Sequence, residues 1–128
     1  MRALEIDAPW QHEASAGLAR VALAEGDPAA ALAALQPVLD HVAAGGTLGA
    51  TDYPRWIELT CHQTLARAGD PRAADWLARS HAALVAQADT ISDAARRQGF
   101  LHHIPHHRDI VAAWAAHGTH RPPASPTP

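Results

Sequence analysis

Between Pro28 and Ala44 the residues Leu32, Leu35, Leu39 and Val42 recur at steps of three, four and three, which keeps them on one face of a helix. Pro37 falls inside this stretch, where it removes an amide donor and collides with the carbonyl four residues back, so a kink or local break is expected near Ala33–Gln36. From Tyr53 to Ala68 the stripe is Ile57, Cys61, Leu65 and Ala68, widened by Trp56 and Leu59. From Pro71 to Ala88 it is Ala74, Leu77, His81, Leu84, Val85 and Ala88. Gly26-Asp27-Pro28, Gly45-Gly46 with Gly49, Gly69-Asp70-Pro71, Ile104-Pro105 and Gly118 cut the chain into helix-length pieces. In each Gly-Asp-Pro turn glycine ends one helix in the left-handed region, aspartate caps the next and proline enters its first turn. The pattern predicts antiparallel pairs: Gln11–Glu25 with Pro28–Ala44, Pro54–Ala68 with Pro71–Ala88, and Ser92–His103, capped by Ser92, with Pro105–His117. Residues 1–117 form the helical domain, and the proline-rich stretch 118–128 is expected to be a disordered tail.

Composition strengthens the helical reading. Alanine fills 31 of 128 positions, and it loses no side-chain entropy in a helix, so an all-α fold is expected. The length suits one domain. The single thiol, Cys61, excludes an internal disulfide and a multi-cysteine zinc site. The chain contains no lysine, which removes phosphate-loop and Schiff-base chemistry. A net charge of −3, with Arg96-Arg97 the one adjacent cationic pair, offers nothing to nucleic acid or an anionic membrane. No apolar run is long enough to span a bilayer, and Glu5 and Asp7 sit where a signal peptide needs its apolar core, so a cytoplasmic location is expected.

The two Gly-Asp-Pro turns lie 43 residues apart, each with an alanine five positions after its glycine, Ala31 and Ala74. Self-similarity at this scale points to a helical repeat. The opening Ala3-Leu4-Glu5-Ile6-Asp7-Ala8-Pro9 resembles the end of a tetratricopeptide repeat's second helix, and Leu18, Ala19, Ala22, Ala31 and Leu35 match its large and small positions. Over Asp40 to Trp114, the strings Arg55-Trp56-Ile57-Glu58-Leu59-Thr60-Cys61, Ala68-Gly69-Asp70-Pro71-Arg72-Ala73 and Phe100-Leu101-x-x-Ile104-Pro105-x-His107-Arg108 resemble the C-terminal repeats of bacterial multidomain ATPase and cyclase regulators. The resemblance implies a short right-handed array of helical hairpins without the catalytic modules. No aromatic residue fills the repeat's aromatic positions, residues Gly45 to Asp52 lengthen the second unit, and His62 and His81 stand where small residues are usual.

The densest chemistry is His102-His103-Ile104-Pro105-His106-His107, four imidazoles in six residues. Converging on one ion they would form a metal site; otherwise they form a solvated corner in which His103 or His107 bonds a backbone carbonyl. His81, between Leu77 and Leu84, reads as a core histidine satisfied by a carbonyl or as a general base. Cys61 and His62 point about 100° apart on a helix, which is poor geometry for a nucleophile pair. Trp56 and Trp76 either fill the core or line a concave surface, where with Arg55, Arg72 and Arg79 they would hold an extended acidic or apolar protein segment. Ala74 is expected to make a close helix contact.

These features predict a non-catalytic interaction module without a cofactor, regulatory or scaffolding in role. A histidine-dependent metal or pH sensor and a small helical enzyme are the alternatives. Leu4 and Ile6, with the adjacent face of Gln11–Glu25, are expected to leave an apolar N-terminal surface for a partner protein or a homodimer.

Overall fold

The computed structural model describes residues 9–49 and 51–120. They form six helices: α1 Pro9–Ala24, α2 Pro28–Ala43, α3 Pro54–Arg67, α4 Arg72–Asp89, α5 Ala94–His102 and α6 Pro105–His120. No strand occurs among the described residues, so the all-α expectation holds. None of the described helices is long and apolar enough to cross a membrane. Leu4 and Ile6 lie outside the described residues, as does the tail from residue 121. Helix α6 runs past Gly118 to His120, three residues beyond the expected end.

The turns work as the sequence suggests. Gly26 (φ 78°) and Gly69 (φ 73°) take the left-handed conformation, and the next amides, of Asp27 and Asp70, reach back to Ala22 O and Leu65 O at 2.9 and 2.8 Å. Turns this short fold α2 back on α1 and α4 back on α3. The carboxylate of Asp27 then accepts from Ala30 N at 3.0 Å and caps α2 from Pro28 onward. Asp70 behaves differently. It accepts from Arg72 N at 2.9 Å and from the Arg72 guanidinium, so α4 starts one residue later, with Pro71 outside it. The likeness of the two turns does not extend to the alanine five positions after each glycine: Ala31 is fully buried, whereas the expected close contact at Ala74 is absent, since Ala74 is exposed and Ala73 packs against the core. Val85 is 38% exposed, and the buried stripe of α4 is Trp76, Leu77, Ser80, Leu84 and Ala88, three of which, Leu77, Leu84 and Ala88, are on the expected face.

Two smaller expectations also change. Helix α2 continues through Pro37 without a break, because Leu35, Val38 and Leu39 anchor both sides of an exposed proline. The cap of α5 is Asp93, which accepts from Arg96 N at 2.8 Å, and not Ser92. The long second connection is packed: Leu48 and Thr51 are buried, and the His41 ring donates through Nε2 to Thr47 O at 3.0 Å. Gly46 passes so close to that ring that a Cβ there would collide with it.

Side-chain contacts set the helix directions. Glu13 meets the start of α3 at Asp52 N and Arg20 meets its middle at Thr60, so α1 and α3 run parallel. Arg55 at the start of α3 bonds Gln87 near the end of α4, which makes that pair antiparallel. His81 stacks on Trp114, and Leu84 clusters with Ile110, so α6 is antiparallel to α4 and parallel to α3. Helices α1, α3 and α6 therefore form one layer, with α2 behind α1 and α3 and with α4 behind α3 and α6. The larger core fills the space among α1, α2 and α3, sealed by Trp76. A smaller one, centred on Leu59, Leu84 and Ile110, attaches α6.

Candidate functional site

The layer of three parallel helices carries an open groove of about 440 Å³, lined by Glu13 of α1, Tyr53 and Trp56 at the start of α3, and His106 of α6. Two stripes with identical spacing build the seam between α1 and α3. Glu13, Gly17, Arg20 and Ala24 recur at i, i+4, i+7 and i+11 on α1, and Trp56, Thr60, Gln63 and Arg67 do so on α3. At one end Glu13 Oε2 accepts from Asp52 N at 2.9 Å. In the middle the Arg20 guanidinium lies 5.6 Å from the centroid of Trp56 and donates through Nη1 to Thr60 Oγ1 (2.9 Å) and Gln63 Oε1 (3.1 Å). At the other end Arg20 and Arg67, with Leu23, Ala24 and Gln63, surround a second cleft of about 360 Å³. Tyr53 is 59% exposed and stands at the rim.

The arginines and tryptophans expected to act together are separated by the fold. Trp56 lines the groove, but Arg55 turns away from it: its Nε lies 2.7 Å from Oε1 of Glu58 on α3, and its Nη1 donates to Gln87 Oε1 on α4 at 3.0 Å. Glu58 is buried in this contact. Burial pushes its carboxyl above the ordinary carboxylate range, and the adjacent Arg55 partly restores it. Trp76 is a core residue, with Arg79 over its ring at 5.1 Å. Arg72 and Arg79 border a different cleft of about 200 Å³ between α2 and α4. The hydrogen bonds of Arg72 hold the Asp70 carboxyl down at about 2.

The histidine run is divided as well. His102 and His103 end α5 and are exposed, whereas His106 and His107 open α6 and face inward. His107 is buried, and its Nδ1 donates to Phe100 O at 2.8 Å, which ties α6 to α5. Burial lowers the proton affinity of both His106 and His107; the neighbouring His107 lowers that of His106 further, while the bond to Phe100 O partly restores that of His107. Among the described residues no three histidine, cysteine, aspartate or glutamate side chains converge as a metal site would require. His81 is half-buried and stacked 4.6 Å from Trp114 at 11°, with its proton affinity lowered by burial. His62 donates through Nδ1 to Ala73 O at 2.8 Å, away from Cys61. Cys61 is buried, and burial together with the Glu58 charge pushes its thiol up to about 12, far from a nucleophile's range.

Sequence reasoning missed Glu13, Gly17, Arg20, Tyr53, Gln63 and Arg67, because the search for apolar stripes passes over polar ones. The matched i, i+4, i+7, i+11 spacing of the two helices was the available signal. No family model matches the chain, and no curated protein or solved structure matches it.

Proposed function

We propose that this chain is a non-catalytic interaction module of tetratricopeptide-like design, which holds a segment of another protein in the groove along α1, α3 and α6. The observation that carries this reading is the groove itself: a half-buried Trp56 and an exposed Tyr53 form an apolar wall along three parallel helices, open to an extended chain. The parallel placement of α1 and α3 behind two similar hairpin turns supports the repeat reading. The candidate nucleophile and bases support the non-catalytic one, since Cys61 is buried and protonated, His62 bonds a carbonyl and His81 stacks on Trp114. A regulatory or scaffolding role in the cytoplasm belongs to the same proposal.

Selection of random linear peptides displayed against the full chain tests it. Enriched peptides should lose binding to Tyr53→Ala, which removes a wall of the groove, and to Gly17→Leu, which fills the seam one turn beyond Glu13 on the same face of α1. No enrichment, or binding that survives both substitutions, would refute the reading. The metal-sensor alternative is tested on untagged protein by zinc calorimetry, where a saturable sub-micromolar site would reverse the ranking.

A further inference from the structure

We infer that the seam between α1 and α3 is a two-part recognition site, an apolar cleft followed by a carboxylate subsite, and that its occupant is an extended peptide with acidic residues to one side of an aromatic one. The inference rests on the reading of the groove as a site for a protein segment and specifies the chemistry of that segment.

Arg20 is the central observation. Its guanidinium is half-buried and fixed by three neutral partners, the Thr60 hydroxyl, the Gln63 amide oxygen and the Trp56 ring. Guanidinium carries five N–H donors, and Nη1 makes both of these bonds, so Nε and Nη2 keep donors for a planar acceptor. Arg67 borders the same cleft. Arg55, Arg72 and Arg108 are each paired with a carboxylate, whereas no carboxylate pairs with Arg20 or Arg67 among the described residues. A cation that is held in place, partly desolvated and not neutralised gains most from a ligand anion.

The neighbouring cleft selects which anion. Its walls are Tyr53, Trp56 and the His106 ring, with Glu13 at one end, so the ligand must carry an apolar group beside its charge. Glu13 stands at the far end of the seam, seven residues from Arg20, a distance of about 10 Å along the helix or about three residues of extended chain. A nucleotide's polyphosphate would meet that carboxylate unfavourably, whereas a peptide with its acidic residues on one side of the aromatic anchor matches the gradient. Gly17 lies between the poles, and a Cβ built there meets nothing within 4 Å, which leaves the middle of the seam open.

The test is a ¹⁵N amide-shift titration of the full chain with acetylated, amidated Ser-Phe-Ser-Glu-Glu-Ser. The counterparts carry Gln for both Glu or Ala for Phe, and ATP and inorganic phosphate serve as anions without a peptide. The expected result is shifts along α1 and α3, with binding at least tenfold weaker for either counterpart peptide. Arg67→Gln and Arg20→Gln should each weaken the acidic peptide at least fivefold, while its Gln counterpart is unaffected. Gly17→Leu should abolish binding with no fall in melting temperature. Equal seam binding by the Gln peptide would overturn the carboxylate subsite and leave the interaction groove standing. ATP or phosphate binding as tightly as the peptide would overturn the peptide assignment. No seam shift with any of these peptides would overturn the whole inference, and the display selection would then decide independently whether the groove binds protein segments at all.

Discussion

Leucine substitution at Ala31, Ala73 and Ala74 tests the difference in packing between the two hairpins. Ala31 is fully buried in a cluster whose α1 contributions are Ala16, Ala19 and Ala22, small residues that let the two helices approach closely. Adding three carbons there forces side chains or backbone to move, at a cost of about 1–3 kcal/mol. Ala74 lies at the same distance from its glycine but is exposed, so Ala74→Leu should stay within about 0.5 kcal/mol. Ala73→Leu, at the partly buried position that replaces it, should resemble Ala31→Leu. In urea, where small proteins lose about 1–3 kcal/mol per molar, Ala31→Leu lowers the midpoint by about 0.5–2 M and Ala74→Leu leaves it nearly unchanged. Equal losses at Ala31 and Ala74 would refute this difference and restore the close contact at Ala74 expected from the repeat.

Three other outcomes are expected. Glu58→Ala strands Arg55 in a largely buried site and should cost about 3–5 kcal/mol, with Glu58→Gln milder because it keeps an acceptor; equal losses in denaturant melts would show that the charge is irrelevant. Burial lowers the proton affinity of His81, His106 and His107, so between their ordinary value of 6.5 and the lower folded values the unfolded chain binds more protons. Stability should therefore fall as pH drops from 7.5 to 5.5, and less so in His107→Gln; a flat profile would contradict this. Leu18 and Val21 of α1 are 64% and 57% exposed, and we expect them to support self-association or partner binding, so light scattering over a dilution series should show a mass above 13.5 kDa that falls for Leu18→Glu with Val21→Glu.

What the sequence made legible, and what it hid, follow from how local each signal is. Apolar spacing and Gly-Asp-Pro turns act over a few residues, so helix spans were readable to within about three positions, and His107 took the carbonyl bond foreseen for a solvated corner. The exposure of Ala74 was not readable, because both turns carry the same three letters. The two turns do differ at their aspartates: the Arg72 guanidinium holds the Asp70 carboxylate, whereas the Asp27 carboxylate caps α2 at Ala30 N. Trp76 and Arg55 were hidden for a different reason. Whether a tryptophan fills a core or faces a groove depends on helices distant in sequence, and here α2 covers Trp76 while α4 supplies Gln87 to Arg55.

The third wall of the groove depends on α5. Helix α4 ends beside the start of α3, as the Arg55–Gln87 bond records, so a helix continuing directly from that point would already run parallel to α3. Instead the nine residues of α5, none of them fully buried, carry the chain out and back before α6 begins. Two contacts close this excursion: Arg97 donates to Ile91 O at 2.9–3.1 Å, and His107 donates to Phe100 O. Because the excursion starts and ends near the same place, α6 takes its position beside α3 while its first turn brings His106 to the mouth of the groove next to Tyr53. The histidine run is thus a joint whose outer half ends α5 and whose inner half lines the proposed site. This accounts for four imidazoles clustered in sequence without convergence on one ion. It also makes His107, through its bond to Phe100, the residue on which the placement of His106 depends.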